Sequence, residues 1–222
     1  MSTKPAFFHT APASTVLLKE VAAGLCTSLL PPGIERRVVS KDFPGQQLRI
    51  SVRPFCVATD VPILYKWMSQ EYAGPLLSHT QPPQELEESY ACMIECDFAQ
   101  PFMGLVNDVP ICQMDVYKTQ QDAISLYYDA RPGDYGIQLV LAPLAIQENM
   151  IVLIKTCLEY FFSFPEVGRI VADIDTSSEW TNMLFKKAGF RSLQNIQTSY
   201  KSSTLYVCTR SSCSQAAAQI TF

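Results

Sequence analysis

The stretch from Tyr127 to Pro143, "YYDARPGDYGIQLVLAP", constrains the fold more than any other. Pro132-Gly133 forces a turn, and the near-continuous apolar run from Ile137 to Leu141 then fits a strand buried on both faces. A long apolar segment, "QENMIVLIKTCLEYFFSF", follows with helical length, and "GRIVADID" reads as another strand. Strand, crossover helix and strand in this order imply that segments 136–142 and 169–175 lie parallel in one sheet.

The flanking segments extend that unit. "FPGQQ" is a hairpin-type turn, and "LRISVRPF" alternates as a strand. "TDVPILYKWMSQ" predicts a helix capped by Thr59 or Asp60, with Pro62 in its first turn. After the loop "EYAGPLLSHTQPP" comes a second helix, "QELEESYACMIECDF". "PFMGLVN" and "VPICQMDVYKT" are two strands joined at Asn107-Asp108. Downstream, "EWTNMLFKKAGF" is a helix and "SLQNIQTSYKSSTLYVCTR" a closing hairpin. The fold class is therefore α+β, one mixed sheet covered by helices. Residues 46–210 form the domain, 1–45 an N-terminal extension and 211–222 a loose tail.

With 48% hydrophobic and 17% charged residues, the chain carries a real core. The net charge of -4 and the absence of a Lys/Arg block argue against a nucleic-acid surface. Eight cysteines without a CxxC pair, and only two histidines, point to reduced thiols in the cytoplasm rather than a disulfide scaffold or a zinc site. No metal is expected. Thr15 to Leu30 is too short and too charged to span a membrane and lacks the form of a signal peptide. Val21, Leu25, Cys26 and Leu29 fall at helical spacing, an amphipathic helix that packs on the body or on a partner.

Two motifs carry a resemblance. "LFKKAGF", just ahead of the closing hairpin, is similar to a helix end common in the GNAT acyltransferase superfamily, and Gly189 suits its left-handed cap. "MDVYKTQQDAISLYYDARPGDYGIQLVLAP" resembles the siderophore-biosynthesis branch, which holds the hydroxylysine N-acetyltransferase of aerobactin synthesis and the lysine N-acyltransferase of mycobactin synthesis. The matching residues are Val116, Tyr117, Tyr128, Asp129, Ala130, Pro132, Asp134 and Gly136, within a resemblance over roughly 48–208.

The resemblance implies a GNAT fold in which two parallel strands splay at the sheet centre. Acyl-CoA is the implied co-substrate and a small amine or hydroxylamine, such as N-hydroxylysine or a hydroxylated diamine, the acceptor. The acyl arm would lie in the wedge, with backbone N–H groups of Leu139, Val140 and Leu141 stabilising the oxyanion. The start of the following helix, at Gln147, Asn149 and Met150, would hold the pyrophosphate. A hydroxylamino nitrogen is less basic than an alkyl amine, so positioning can carry more of the rate.

Several positions depart from the family pattern or leave a choice open. Gln138 stands where the family has a histidine; a glutamine takes up no proton at neutral pH. It either orients the acceptor or is satisfied by its strand neighbours. Asp173 matches the family's catalytic carboxylate; it either meets the acceptor's nitrogen, as a contact or as a base, or ends its strand as a polar residue. Asp175 suits a helix cap. The loop "LAIQENMIV" has no glycine; Glu148-Asn149 replaces the family's Arg-Gly, and Asn149 can adopt the left-handed conformation. Phe185 replaces a tyrosine that protonates the leaving thiolate in many superfamily enzymes.

Around the acceptor, Trp67, Tyr72, Tyr117, Tyr127 and Tyr128 are either pocket wall or core. His79 is either a substitute base or a solvated loop histidine, and Asp129 is a contact for a cationic acceptor. Arg131 and Asp134 brace the corner. The departures also leave open a non-catalytic GNAT-fold binding module. Nothing in the sequence fixes an oligomeric state.

Overall fold

The computed structural model of the chain describes residues 37–69, 82–143, 147–198 and 201–218. The amphipathic segment Thr15–Leu30, Tyr72 and His79 lie outside them. One eight-stranded sheet dominates the described residues, in the order β1-β2-β3-β4-β5-β6-β8-β7. The strands are β1 (Val39–Phe43), β2 (Leu48–Pro54), β3 (Ala99–Val106), β4 (Val109–Lys118), β5 (Asp134–Leu141), β6 (Arg169–Asp175), β7 (Arg191–Gln197) and β8 (Ser202–Thr209). All neighbours are antiparallel except β5 and β6, the parallel pair expected from the crossover helix.

Among the described residues five α-helices cover the sheet: α1 (Val57–Met68), α2 (Pro83–Glu95), α3 (Gln147–Phe162), α4 (Glu179–Lys187) and α5 (Arg210–Ala218). Strand alternation divides the apolar residues between two cores. Phe102, Met114, Val116 and Ile137 face Leu153, Cys157, Phe161 and Phe185 of α3 and α4. Met103, Leu105, Val140, Val171 and Leu205 face Leu64 and Trp67 of α1 and Tyr90 and Met93 of α2. Trp67 and Tyr117 are therefore core residues of the second face.

The Asn107-Asp108 turn has both residues at positive φ, 47° and 67°, the type I′ geometry expected of a two-residue hairpin. Gly189, at φ 104°, ends α4 as expected, with the Phe190 N–H returning to the Phe185 carbonyl at 3.0 Å.

Three expectations need correction. First, the sheet begins ahead of residue 46: Val39 and Phe43 alternate inward onto the α3-side core, which draws β1 into the sheet. Second, neither Thr59 nor Asp60 is the N-cap residue of α1. The helix starts earlier, at Val57, with Cys56 as its N-cap residue; Asp60 is fully buried in the first turn, paired with Arg53 through two 2.6 Å bonds and accepting the Cys56 N–H at 2.8 Å. Pro62 consequently falls in the second turn. Third, the supposed loose tail is α5. Ser212 accepts the Thr209 N–H at 2.9 Å, Cys213 and Ala216 are buried, and the Lys155 ammonium donates to the Ala216 carbonyl at 2.7 Å.

The seven described cysteines form no disulfide. Cys112, Cys157, Cys208 and Cys213 are buried, Cys56 and Cys96 half-buried, and Cys92 exposed.

Candidate active site

The turn before β5 fastens β5 to β6 at one end. The Gly133 carbonyl accepts from Gly168 and Arg169 N–H groups at 2.8 and 3.2 Å. Arg169 grips the buried Asp134 carboxylate with both arms, at 2.7 and 2.5 Å, and donates to the Asp129 carbonyl at 3.0 Å. Asp134 also accepts the Arg131 N–H at 2.9 Å. Asp134 thus braces the corner, with Arg169 as the charged partner and Arg131 contributing its backbone.

Beyond this clasp the pair opens. Register runs Asp134↔Arg169, Tyr135↔Ile170, Gly136↔Val171 and then stops, although β5 continues to Leu141 and β6 to Asp175. The strands diverge into a wedge with its vertex at Gly136. On the other side of β5, pairing with β4 is unbroken from Tyr135 to Leu141.

Backbone direction follows from one bond. The Ala142 N–H donates to the Ile111 carbonyl on the β4 side at 2.9 Å. Amide directions alternate along a strand, so the N–H groups of Val140 and Gln138 also face β4, and those of Leu139 and Leu141 face the wedge. Of the three residues expected to line the acyl group, Val140 is therefore corrected: its amide is directed into the β4–β5 ladder.

The side chains at the vertex belong to the α1/α2 face. Tyr117 sits opposite Gly136 in register, and its ring lies across that glycine. A Cβ at position 136 would stand 2.2 Å from the ring's Cζ, so no other residue fits without moving the phenol. The Gln138 amide faces the Tyr117 oxygen as a donor, an interaction that by itself lowers the phenol's pKa. Burial, aided by the charges of Asp122 and Asp173, raises its pKa well above the usual phenol value. Asp173 comes from β6, with Lys201 Nζ at 2.7 Å and Ser203 Oγ at 3.4 Å on its carboxylate. The structure thus gathers Tyr117, Gln138 and Asp173, three of the residues singled out by the sequence.

Asp115 joins this face and is not evident from the sequence. It lies opposite Gln138 in register and is 3% exposed. Burial raises its pKa to about 7, opposed by bonds from Gln113 Nε2 at 2.6 Å and Tyr90 OH at 3.5 Å. The only sequence signal is an aspartate in an otherwise apolar stretch, "ICQMDVY", at a position that alternation puts on the same face as Tyr117.

Other expected residues fall elsewhere. Asp129 sits at the clasped end, largely exposed and paired with Arg131 at 3.3 Å; from Asp134, where β5 begins, Gln138 is about 13 Å further along. Tyr128 donates to Thr119 Oγ1 at 2.9 Å beneath the Arg169 guanidinium, also at the clasp. Asp175 accepts from Ser177 N and Oγ at 2.8 and 2.6 Å in the turn ahead of α4; the helix's N-cap is Ser178, so Asp175 does not cap it as expected. Phe185 is buried against Phe190 and Tyr206.

The glycine-free segment after β5 also differs from expectation. α3 starts at Gln147, so Asn149 is helical rather than left-handed. The Met150 side chain is in the core, which leaves its backbone for any anion. The first-turn N–H groups of this helix lack intrahelical acceptors and carry the positive end of its dipole. Among the described residues no group of three His, Cys, Asp or Glu side chains could hold a metal, and no helix is long and apolar enough to cross a membrane.

Comparison with known proteins agrees with this geometry. The family model described as an acetyltransferase (GNAT) domain matches residues 56–198, more than half of the chain. An N-hydroxyputrescine acetyltransferase of Acinetobacter baumannii is 21% identical over 170 residues, 76% of this chain and 82% of that protein. The lysine N-acyltransferase MbtK of Mycobacterium tuberculosis is 24% identical over 178 residues, 79% of this chain and 84% of that one. The aminoglycoside acetyltransferase AAC(6')-Ib, solved with coenzyme A and kanamycin, superposes with a TM-score of 0.65 at 20% identity, over 75% of this chain and 98% of its own. The chain belongs to the GNAT acetyltransferase family and is an N-acetyltransferase.

Proposed function

We propose that the protein transfers an acyl group from acyl-CoA to a small amine or hydroxylamine of siderophore-precursor type, such as N-hydroxylysine or a hydroxylated diamine. The observation that carries this reading is the wedge: β5 and β6 part after Gly136, the Leu139 N–H faces the gap, and Tyr117, Gln138 and Asp173 stand around it. The names of the two relatives support the acceptor class, as N-hydroxyputrescine and lysine are both small and amine-bearing.

In this reading the start of α3, at Gln147, Asn149 and Met150, holds the pyrophosphate through backbone N–H groups. The thioester arm runs down the gap toward the vertex. The Leu139 N–H stabilises the oxyanion formed when the nitrogen attacks the carbonyl carbon. Asp173 and Gln138 hold the nitrogen on the α1/α2 face, with Lys201 fixing the Asp173 carboxylate. No strong base is demanded if the nitrogen is hydroxylated, which is consistent with Gln138 replacing the family's histidine. Such a donor places the reaction in the cytoplasm.

The test is to incubate the pure protein with acetyl-CoA and longer acyl-CoAs, together with N-hydroxylysine, N-hydroxyputrescine and lysine, and to follow free thiol. Thiol release dependent on the acceptor is expected. Absence of release with every pair sinks the proposal.

A further inference from the structure

Asp115 and Asp173 stand at the two ends of one row across the sheet. Asp115 on β4 faces Gln138 in register, and Gln138 and Asp173 each lie two residues beyond Gly136 and Val171, the last pair before β5 and β6 part. Alternation puts all three side chains on the α1/α2 face. The two carboxylates are served differently. Asp173 has a cation, Lys201 Nζ at 2.7 Å. Asp115 is 3% exposed and has none among the described residues. Its contacts are Gln113 Nε2 at 2.6 Å and Tyr90 OH at 3.5 Å, both uncharged.

A second buried atom beside it lacks a partner. Gln113 is fully buried, and its Oε1 accepts no hydrogen bond. That oxygen shares a carbon with the nitrogen that touches Asp115, so carboxylate and orphan oxygen line one spot. A buried acceptor with no donor is costly, and a buried carboxylate with no cation is more so. An ammonium group answers both, because it is a cation with three N–H donors for Asp115, Gln113 Oε1 and the Tyr90 oxygen. Burial lifts the Asp115 pKa to about 7, and a cation beside it would draw that value down and hold the carboxylate ionised.

We infer that Asp115, with Gln113, binds a second ammonium group of the acceptor, at the end away from the nitrogen that is acylated. This rests on the acyl-transfer reading above. Asp115 is one strand removed from the gap, so it meets the far end of the acceptor and not the attacking nitrogen. Strands β4 and β6 are two spacings apart, about 10 Å at the backbone. Hydrogen bonds reaching inward from each carboxylate leave roughly 5–7 Å between the acceptor's two nitrogens, the span of a short aliphatic diamine. Gln138, half-buried between them, lies along the connecting chain. The row therefore selects N-hydroxylated amines that carry a second cation, and Asp115 is a specificity-determining residue.

The test compares N-hydroxyputrescine with N-hydroxybutylamine, which has the same chain and hydroxylamine but no ammonium, by free-thiol release from acetyl-CoA. Wild type is expected to favour the diamine by at least about tenfold in kcat/KM, the scale of one charge-assisted contact. Asp115→Asn keeps the shape and removes the charge. It should raise the KM for the diamine by about tenfold or more with kcat within about threefold, and the loss in kcat/KM should shrink to less than about threefold with the monoamine. A structural role would lower both substrates by one factor, and a role as base would lower kcat for both. Either result, or a wild type that does not distinguish the two amines, overturns the assignment while the acyl-transfer reading stands. The wild-type comparison needs no variant, so it decides the matter even if the substituted chain fails to fold. A wild type that releases no thiol with any acceptor overturns both readings.

Discussion

Asp115 shows how a single buried group can make stability depend on pH. Its carboxyl is protonated in the folded chain up to about pH 7, whereas in the unfolded chain it ionises near its ordinary value of 3.8. Stability from this group is full below the unfolded value, declines between the two and is gone above about pH 7. An amide in its place keeps hydrogen-bonding capacity and cannot ionise. Asp115→Asn is therefore expected to gain stability relative to wild type as pH rises from 4 to 7, by a few kcal/mol, and then level off. Urea unfolding at pH 5 and pH 8 checks it; an equal difference at both values refutes it. Such a residue is hard to read from sequence, because an aspartate between Met114 and Val116 looks the same whether its face meets water or α2. That Tyr117, Gln138 and Asp173 come together on one face was legible because a family motif fixes their places along the strands. Asp129 belonged to the same motif yet lies at the clasp, since a motif gives sequence order and not the end of the strand at which a side chain sits.

At the scale of elements, the clasp sets where the wedge can begin. Asp134 and Arg169 hold the first rung of β5–β6, so divergence starts two rungs later and leaves the Leu139 amide facing the gap. Arg169→Ala would leave the Asp134 carboxylate, 2% exposed, without its charged partner and with the Arg131 N–H and the Tyr128 hydroxyl on it. The expected loss is about 3 kcal/mol, at the low end for a broken buried pair because Arg169 keeps some contact with water. Chemical denaturation measures it; a loss under about 1 kcal/mol would show that the backbone bonds at Gly133 hold the vertex alone. The parallel pair itself was legible, since a strand, a long helix and a second strand admit few arrangements. α5 was not, because its Ser/Ala/Gln sequence has no apolar period, and among its described side chains only Cys213 and Ala216 are deeply buried apolar residues. The start of α1 was misread because Asp60, which looks like an N-cap, lies inside the first turn, bonding back to the Cys56 N–H and pairing with Arg53.

For the molecule as a whole, the wedge is a seam. Strands β1 to β5 lie on one side and β6, β8 and β7 on the other, joined at the centre of the sheet by three paired rungs and by helices packed on both faces. A ligand filling the seam ties the halves together and, by mass action, stabilises only the folded chain. Coenzyme A at about 100 times its Kd is expected to add about 2.7 kcal/mol, a rise of roughly 5–10 °C in thermal midpoint for a chain of this size. Differential scanning calorimetry with and without coenzyme A tests this. An unchanged midpoint at millimolar concentration would exclude the seam as its site.

The overlap of Tyr117 with Gly136 also makes the two positions change together. A chain that acquires any larger residue at the second must shrink or turn aside the aromatic at the first, and a chain that keeps the phenol must keep the glycine. The pair is expected to read as a two-letter signature among relatives, a glycine wherever an aromatic ring lies across the wedge's vertex.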